Sequence, residues 1–179
     1  DYLKARRTDG ADSDIRNRLK SLSKLVNHTI KTTRRISQEL RPGILDDLGL
    51  KSAIEWQVSQ FRKRSDTEYK LNLTGDDKNL STEQATTIFR ITQESLTNIA
   101  RHAEATKVEV NLRIGKPSIN LTIKDNGKGI SENNTENHNA SFGIFSMKER
   151  ASILGGELVI ISKPKEGTSI NVEIPIQSN

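Results

Sequence analysis

The feature of this sequence that most constrains its fold is a set of short apolar patterns with a period of two. Such alternation is typical of β-strands with one buried face, whereas helices repeat their apolar positions every three or four residues. The alternating runs occupy residues 108–114, 119–123, 158–160 and 170–174. Gly115 and Pro117 lie between the first two runs and predict a hairpin turn. The second half of the chain is therefore predicted to form a mostly antiparallel sheet.

Helical patterns precede and interrupt these strands. Residues 50–64 have the spacing of an amphipathic helix, and residues 69–73 predict a short strand. Ser81 and Gln84 form the pattern of a capping box, which opens a helix running to about His102. This mixture of elements predicts an α+β fold, a two-layer α/β sandwich with helices covering one face of the sheet.

The first forty residues follow a different pattern. From Ile15 to Leu40, apolar residues and two threonines recur in alternating steps of four and three, the heptad spacing of a long helix that packs on other helices. We predict that it belongs to a helical hairpin that dimerises into a four-helix bundle; packing on its own domain is the alternative. The predicted domains are a hairpin remnant at 1–45 and a second domain at 46–179, and a connector is predicted at 44–49, across their boundary.

Composition excludes several functional classes. The chain has no cysteine, which rules out disulfides and thiolate metal sites and fits a reducing compartment. No apolar run approaches the roughly 18 residues needed to cross a membrane. The net charge of +5 lies in residues 1–80, with 17 Lys and Arg against 12 Asp and Glu, but only 4% of residues are aromatic. We therefore expect a solvated or protein-docking helix face rather than contact with nucleic acid or a membrane.

One face of the helix at 81–102 carries the first candidate site. At about 100° per residue, its apolar positions share one side, and Glu94 and Asn98 lie one turn apart on the other. Arg90, Arg101 and His102 flank this pair. A solvent-exposed stripe would look the same. A carboxylate and an amide at this spacing can also hold a hydrated Mg²⁺, which takes oxygen ligands and keeps several waters.

Three further segments are candidate sites. Asp125-Asn-Gly-Lys-Gly129 follows a strand and predicts either a turn or a carboxylate that accepts from an exocyclic amine, beside glycines that admit a flat ring. Residues 142–147 are predicted to open a helix, with Gly143 offering backbone N–H groups to phosphate oxygens. Gly167 and Thr168 lie between the last two predicted strands.

In order and spacing, these motifs resemble the Bergerat-type ATP-binding fold shared by histidine kinases, DNA gyrase, Hsp90-type chaperones and MutL. They are Glu94-x-x-x-Asn98, Asp125-x-Gly-x-Gly129, Gly143-x-x-x-Met147 and Gly167-Thr168. The sequences QESLTNIARHA at 93–103, ELRP at 39–42 and LDDLGL at 45–50 are similar to those of sensor histidine kinases that partner LuxR/NarL-type response regulators.

The resemblance implies a site for ATP and Mg²⁺. It implies that Asn98 is the Mg²⁺ ligand, that Glu94 orients a metal-bound or bridging water, and that Asp125 accepts from the adenine amine. Thr168 would support the adenine side through a water, and residues 131–142 would form a mobile lid hinged at Gly143. The other implied nucleotide contacts are Arg101, His102, Gly127, Gly129, Ile130, Ile144, Met147 and Gly167.

The resemblance also implies partners: a homodimer formed through the hairpin helix, a LuxR/NarL-type response regulator, and a cytoplasmic location in a bacterium whose inner membrane can anchor the intact protein. The family's phosphoacceptor is a histidine followed by an acidic residue, and none of His28, His102 and His138 is so followed. The chain also begins at Asp1 without methionine. We therefore expect a fragment that binds ATP and supplies phosphate to a histidine outside it, without autophosphorylation.

Three other functions are compatible with the motifs. A protein serine kinase of the anti-sigma type uses the same ATP fold, although it lacks a heptad helix like that at 15–40. An ATP-driven clamp of the gyrase or chaperone class would need a transducer domain after the ATP-binding domain. A non-catalytic dimerisation and docking module would keep the fold around a site that binds no nucleotide.

Overall fold

A computed structural model of the chain describes residues 43–64, 66–130 and 138–176, with side chains from residue 143 onward in the last range. The predicted heptad helix at 15–40, the segment before it, His28, and residues 131–137 of the predicted lid lie outside the described residues. The chain divides into two compact units, Asp1–Pro42 and Gly43–Asn179. The description below concerns the second unit.

The described part of this unit contains three α-helices, one π-helical turn and five strands. In chain order they are α1 (Gly43–Arg62), β1 (Glu68–Thr74), α2 (Thr82–Asn98), a π-helical turn (Ile99–Ala103), β2 (Lys107–Gly115), β3 (Ser118–Asp125), α3 (His138–Ile153), β4 (Glu157–Lys163) and β5 (Gly167–Pro175). All five predicted strands are present, and the hairpin turn at 115–117 is confirmed by the pairing of Gly115 with Ser118.

The strands form one mixed sheet in the order β1-β2-β3-β5-β4. β1 pairs with β2 in parallel, and every other neighbouring pair is antiparallel. The parallel pair is connected through α2, as a parallel connection requires. The mostly antiparallel sheet predicted from the sequence is therefore confirmed.

One face of the sheet forms the core with the helices. On β2, the buried side chains are Val108, Val110, Leu112 and Ile114. The residues between them, among them Asn111 and Arg113, are partly or fully exposed. Helices α1 and α2 pack on each other, and α3 packs on α2 and β4. The two-layer α/β sandwich is thus confirmed. Within the described part of the chain, no helix combines the length and apolarity needed to cross a membrane.

Helix α1 differs from its predicted bounds. The segment at 44–49 was predicted to be a connector, but it is helical, and the helix continues through a kink at Gly49 (φ 78°, ψ 176°). Leu45 is buried in the core, which stabilises this first turn. After the kink the Asp77 carboxylate accepts a hydrogen bond from the Lys51 N–H at 2.9 Å. A side chain distant in sequence therefore caps the second part of α1, which local pattern could not indicate.

Helix α2 begins with the predicted capping box. The Ser81 hydroxyl accepts from the Gln84 N–H at 3.1 Å, and the Gln84 side-chain oxygen accepts from the Ser81 N–H at 3.0 Å. We expect Ser81→Ala to lower the free energy of unfolding by about 1 kcal/mol, because an N–H at the helix start loses its partner. Urea unfolding measures this. Ser152→Ala, at an exposed position of α3, is the control, and equal losses in both variants would contradict the capping role.

Candidate functional site

Helix α2 buries one face and directs the other toward α3. Its buried residues include Ile88, Phe89, Thr92 and Leu96, as the helical periodicity predicted. Glu94 and Asn98 are half-buried rather than fully exposed. A Cβ added to Gly143 of α3 would lie 2.3 Å from Glu94 Oε1 and 3.7 Å from Asn98 Nδ2. The predicted metal pair therefore lies against the backbone of α3, and a side chain at position 143 would have to displace the Glu94 carboxylate.

The three residues predicted to flank this pair occupy different environments. Arg90 is buried and donates to the Gln93 side-chain oxygen at 2.7 Å. Arg101 and His102 are exposed and lie in the π-helical turn that follows Asn98. Such turns are rare and occur often at functional sites. Arg101 and His102 are thus exposed after the end of α2, whereas Arg90 is buried within it.

The start of α3 was predicted wrongly. Residues 142–147 were expected to open the helix, but α3 begins at His138, so Gly143 lies inside it. The N–H of Gly143 is therefore not among the free donors at the helix start. The residues at 138–142 of the predicted lid form the first turns of α3. Asn and Ser are weak helix formers, which favoured a loop in the sequence, but their penalty is only a few tenths of a kcal/mol, roughly, per residue.

Met147 anchors α3 on α2. Its side chain is buried, and its sulfur accepts a hydrogen bond from the Ser95 hydroxyl at 3.6 Å. Ile144, one turn earlier, is half-buried against the core, whereas Phe145 is exposed. The Gly143-x-x-x-Met147 spacing thus places a glycine and a buried thioether on the same side of α3, facing Glu94 and Ser95 of α2.

The second predicted site centres on a buried carboxylate. Asp125 ends β3 and is only 3% exposed. Its Oδ1 accepts from the Gly127 N–H at 2.8 Å, and the carboxylate also accepts from the Thr168 N–H. Burial raises the pKa of Asp125, and the two N–H donors partly offset this rise. A carboxylate has about four lone-pair positions, so it keeps acceptor capacity for a ligand.

Glycines bring three backbone segments together around Asp125. A Cβ on Gly127 would lie 2.2 Å from the Ala103 carbonyl oxygen, and one on Gly167 would lie 2.0 Å from the Asp125 carbonyl oxygen. Gly167 also has a φ of 92°, which favours glycine. Gly129 would meet the Lys163 carbonyl oxygen at 2.3 Å. The three predicted glycines are therefore required by close backbone contacts.

Ser162 is a part of this site that the sequence analysis missed. Its hydroxyl lies 3.0 Å from the Thr168 hydroxyl and accepts from the Ile130 N–H at 2.8 Å. It thereby connects two predicted site residues, Thr168 and the exposed Ile130. The sequence contains one indication of this role. Ser162 follows Leu158 and Ile160 at the same alternation on the more buried side of β4, and it is polar where they are apolar.

The raised pKa of Asp125 has a consequence for stability. The folded protein holds this proton more tightly than the unfolded chain, so the stabilisation is complete below a pH of about 3.9 and is lost as the pH rises through the folded pKa. Relative to Asp125→Asn, which cannot titrate, we expect the unfolding free energy of the wild type to fall from acidic toward neutral pH. Urea unfolding across this range measures the difference.

Glu104 supplies a control of opposite sign. The hydrogen bond and charge of Lys128, whose Nζ lies 2.7 Å from Glu104 Oε1, lower the pKa of Glu104. Its contribution is present above the unfolded pKa and lost as the pH falls through the folded pKa. The wild type should therefore gain stability relative to Glu104→Gln as the pH rises through the acidic range. Parallel pH profiles for the two comparisons would contradict the assignment to Asp125.

The residues present fit a nucleotide with a hard cation. A buried acceptor with spare lone pairs at Asp125 suits an exocyclic amine. Glu94 and Asn98 carry side-chain oxygens on adjacent turns of α2, and Mg²⁺ in proteins typically takes one or two side-chain oxygens together with waters and phosphates. No cluster of three His, Cys, Asp or Glu side chains occurs within residues 43–64, 66–130 and 143–176, so an all-protein cage is absent there.

The fold agrees with comparisons to known proteins. The model of the family described as histidine kinase-, DNA gyrase B- and HSP90-like ATPase matches residues 83–178. The chain is 37% identical over 158 residues to the signal transduction histidine-protein kinase/phosphatase DegS of Brevibacillus brevis, covering 88% of this chain and 40% of that protein. It is 34% identical over 168 residues to the sensor histidine kinase LiaS of Bacillus subtilis, covering 93% and 45%.

A solved structure shows the same architecture. The histidine kinase domain of the blue-light activated histidine kinase EL346 of Erythrobacter litoralis superposes with a TM-score of 0.55 at 26% identity, over 70% of this chain and 60% of that one. The chain therefore belongs to the family of histidine kinase-, DNA gyrase B- and HSP90-like ATPases, and within it to the sensor histidine kinases, as its sequence predicted. It spans less than half the length of the two curated relatives described above.

Proposed function

We propose that this chain is the catalytic ATP-binding portion of a sensor histidine kinase, and that it supplies the γ-phosphate of ATP to a histidine outside these residues. The observation that supports this most directly is the carboxylate of Asp125. It is buried, held by the Gly127 and Thr168 N–H groups, and retains acceptor capacity. Burying a carboxylate is costly unless it is hydrogen-bonded; the two N–H groups supply those bonds, and the unused lone pairs leave Asp125 able to accept from a ligand at the end of β3.

The adenine end of the site is built from backbone. Asp125 accepts from the exocyclic amine, while Gly127, Gly129 and Gly167 keep the surrounding chain segments close and free of side chains. Thr168 is oriented by the Ser162 hydroxyl. In this proposal Asp125 is the only charged group that contacts the adenine. The charged groups that bind the phosphates lie at the other end of the site.

The phosphate end lies along α2. Asn98 would coordinate Mg²⁺ and Glu94 would orient one of its waters; a bound cation would supply positive charge to offset that of the phosphates. Arg101 and His102, exposed in the π-helical turn, are free to approach the phosphates. Because Gly143 lies against Glu94, α3 borders the space in which the phosphates bind.

Transfer moves the γ-phosphoryl group from ATP to an imidazole nitrogen and releases ADP. The phosphohistidine then donates to an aspartate of a response regulator of the LuxR/NarL type. We also propose that the intact protein is a homodimer through its hairpin helix and works in the bacterial cytoplasm. These proposals rest on the likeness of residues 39–50 and 93–103 to that subfamily.

Two measurements test the function. A non-hydrolysable ATP analogue with Mg²⁺ should raise the melting temperature of the chain, because a ligand that binds only the folded state stabilises it. In the intact protein, incubation with γ-labelled ATP should give an acid-labile phosphate, whereas the chain alone should remain unlabelled. A missing thermal shift would favour the non-catalytic docking module. Label transferred to a serine protein would favour the anti-sigma type of kinase.

A further inference from the structure

The turn that follows β3 is fastened to the segment that follows α2. Asn126 provides most of this connection. Its Oδ1 accepts from the Thr106 N–H at 3.0 Å and the Lys107 N–H at 2.8 Å, and its Nδ2 donates to the Thr106 hydroxyl at 2.9 Å. Its own N–H donates to the Lys107 carbonyl at 3.2 Å. Both polar atoms of the side-chain amide therefore bond to residues 106 and 107.

The two residues after Asn126 extend the same connection. The Lys128 N–H donates to the Ala103 carbonyl at 2.8 Å, and Gly127 lies so close to this carbonyl that no Cβ would fit. The Lys128 ammonium pairs with Glu104, whose backbone is left-handed at φ 53°. Residues 126–128 and 103–107 thus form one unit, here called the Asn126 clamp.

The Asn126 clamp lies between the two ends of the site. Asp125 directly precedes it, and Asn98 is separated from it only by the π-helical turn Ile99–Ala103. A π-turn interrupts the regular hydrogen bonding of an α-helix. The turn alone does not fix the direction in which the chain leaves Asn98. The hydrogen bonds from Asn126 to Thr106 and Lys107 hold the segment that follows the turn.

We propose that Asn126 is a positioning residue that sets the placement of Asp125 relative to Asn98, and so couples adenine binding to metal–phosphate binding. The inference rests on the proposed function. It goes beyond that function, because the Asn126 side chain bonds to Thr106 and Lys107 and is assigned no contact with the adenine or the metal. It is the only residue of the Asp125-x-Gly-x-Gly129 motif, within the described part of the chain, whose side chain bonds to the segment after α2 through both an acceptor and a donor.

A double-mutant cycle between Asn126 and Asn98 tests the coupling. The dissociation constant of a non-hydrolysable ATP analogue with Mg²⁺ is measured by calorimetry for the wild type, Asn126→Ala, Asn98→Ala and the double variant. We expect Asn126→Ala to weaken binding about tenfold in the wild type, equivalent to about 1.4 kcal/mol. In the Asn98→Ala background the same change should weaken it by no more than about threefold, since the contact that needs positioning is gone.

Matched variants separate positioning from stability. Asn72→Ala, on the exposed face of β1, should combine additively with Asn98→Ala to within about twofold. Asn126→Asp keeps the acceptor for both N–H groups, and the Thr106 hydroxyl can donate to its second oxygen, so affinity should return to within about threefold of the wild type. If Asn126→Ala does not fold, Asn126→Ser, which keeps a small polar side chain, runs through the same cycle.

The outcomes are distinguishable. Additive effects of Asn126 and Asn98, or no rescue by Asn126→Asp, would overturn the positioning role while leaving the proposed function in place. Wild-type protein that binds no nucleotide would overturn both. Coupling at Asn126 together with additivity at Asn72 supports the inference.

Discussion

Replacing Asn98 by alanine should weaken the binding of an ATP analogue with Mg²⁺ by about 100-fold, the upper end of the effects seen when residues around a bound metal are removed. The expected loss depends on Mg²⁺. Without the cation, wild type and variant should bind the analogue alike, because the contact that Asn98 makes is to the metal. Calorimetric titrations with and without Mg²⁺ measure both quantities.

The control for Asn98 is another asparagine. Asn72→Ala removes the same amide from an exposed strand position, and it should leave the affinity within about twofold of the wild type. An Asn98→Ala variant that keeps the full effect of Mg²⁺ would contradict the assignment of Asn98 as a metal ligand. Asn98 would then belong to the solvent-facing stripe that its helix position alone suggested.

Replacing Gly167 by alanine should lower the free energy of unfolding by about 3 kcal/mol. The backbone of Gly167 is at φ 92°, and a Cβ there would lie 2.0 Å from the Asp125 carbonyl oxygen. An unfavourable backbone conformation costs about 1–3 kcal/mol, and forcing extra atoms into a packed site costs a similar amount. Urea unfolding gives the stability, and the analogue titration should show weaker binding because Asp125 is displaced.

Gly115 provides the matched control for Gly167. Gly115 is the last residue of β2, as Gly167 is the first of β5. Nothing lies within 4 Å of a Cβ added to Gly115, and its φ is not in the left-handed region. Gly115→Ala should therefore change the unfolding free energy by less than about 0.5 kcal/mol. Similar losses of unfolding free energy in the two variants would show that the close contact of Gly167 with the Asp125 carbonyl does not cause the destabilisation.

Where a pattern is local, the sequence predicted the structure well. The capping box of Ser81 and Gln84, the buried face of α2 and the alternation along β2 and β3 all involve residues within a few positions of each other. Their outcome depends on steric and hydrogen-bonding preferences that act over one helical turn or one strand pair. The two-layer sandwich followed because these elements have only a few ways to bury their apolar faces.

Contacts between residues distant in the chain could not be predicted from local patterns. The early start of α3 and the approach of Gly143 to Glu94 depend on packing between two helices. Ser162 reaches Thr168 across a hairpin, and Asn126 reaches Thr106 from 20 positions away. The candidate roles of Asn98 and Asp125 were predicted from the order and spacing of four motifs. Taken alone, Asn98 would equally suit a solvent-exposed helix face, and Asp125 would equally suit a turn.

The cap on α1 has a consequence for synthesis of the chain. The part of α1 at 50–62 begins after Gly49, and the carboxylate that bonds to the Lys51 N–H belongs to Asp77, 26 residues later. An isolated helix shorter than about 12–15 residues is marginally stable in water. This segment therefore leaves the ribosome before the residue that defines its first turn. The hydrogen bond that defines its start near Gly49 can form only after β1 and Asp77 have been synthesised. The start of this helical segment therefore forms later than its position in the chain suggests.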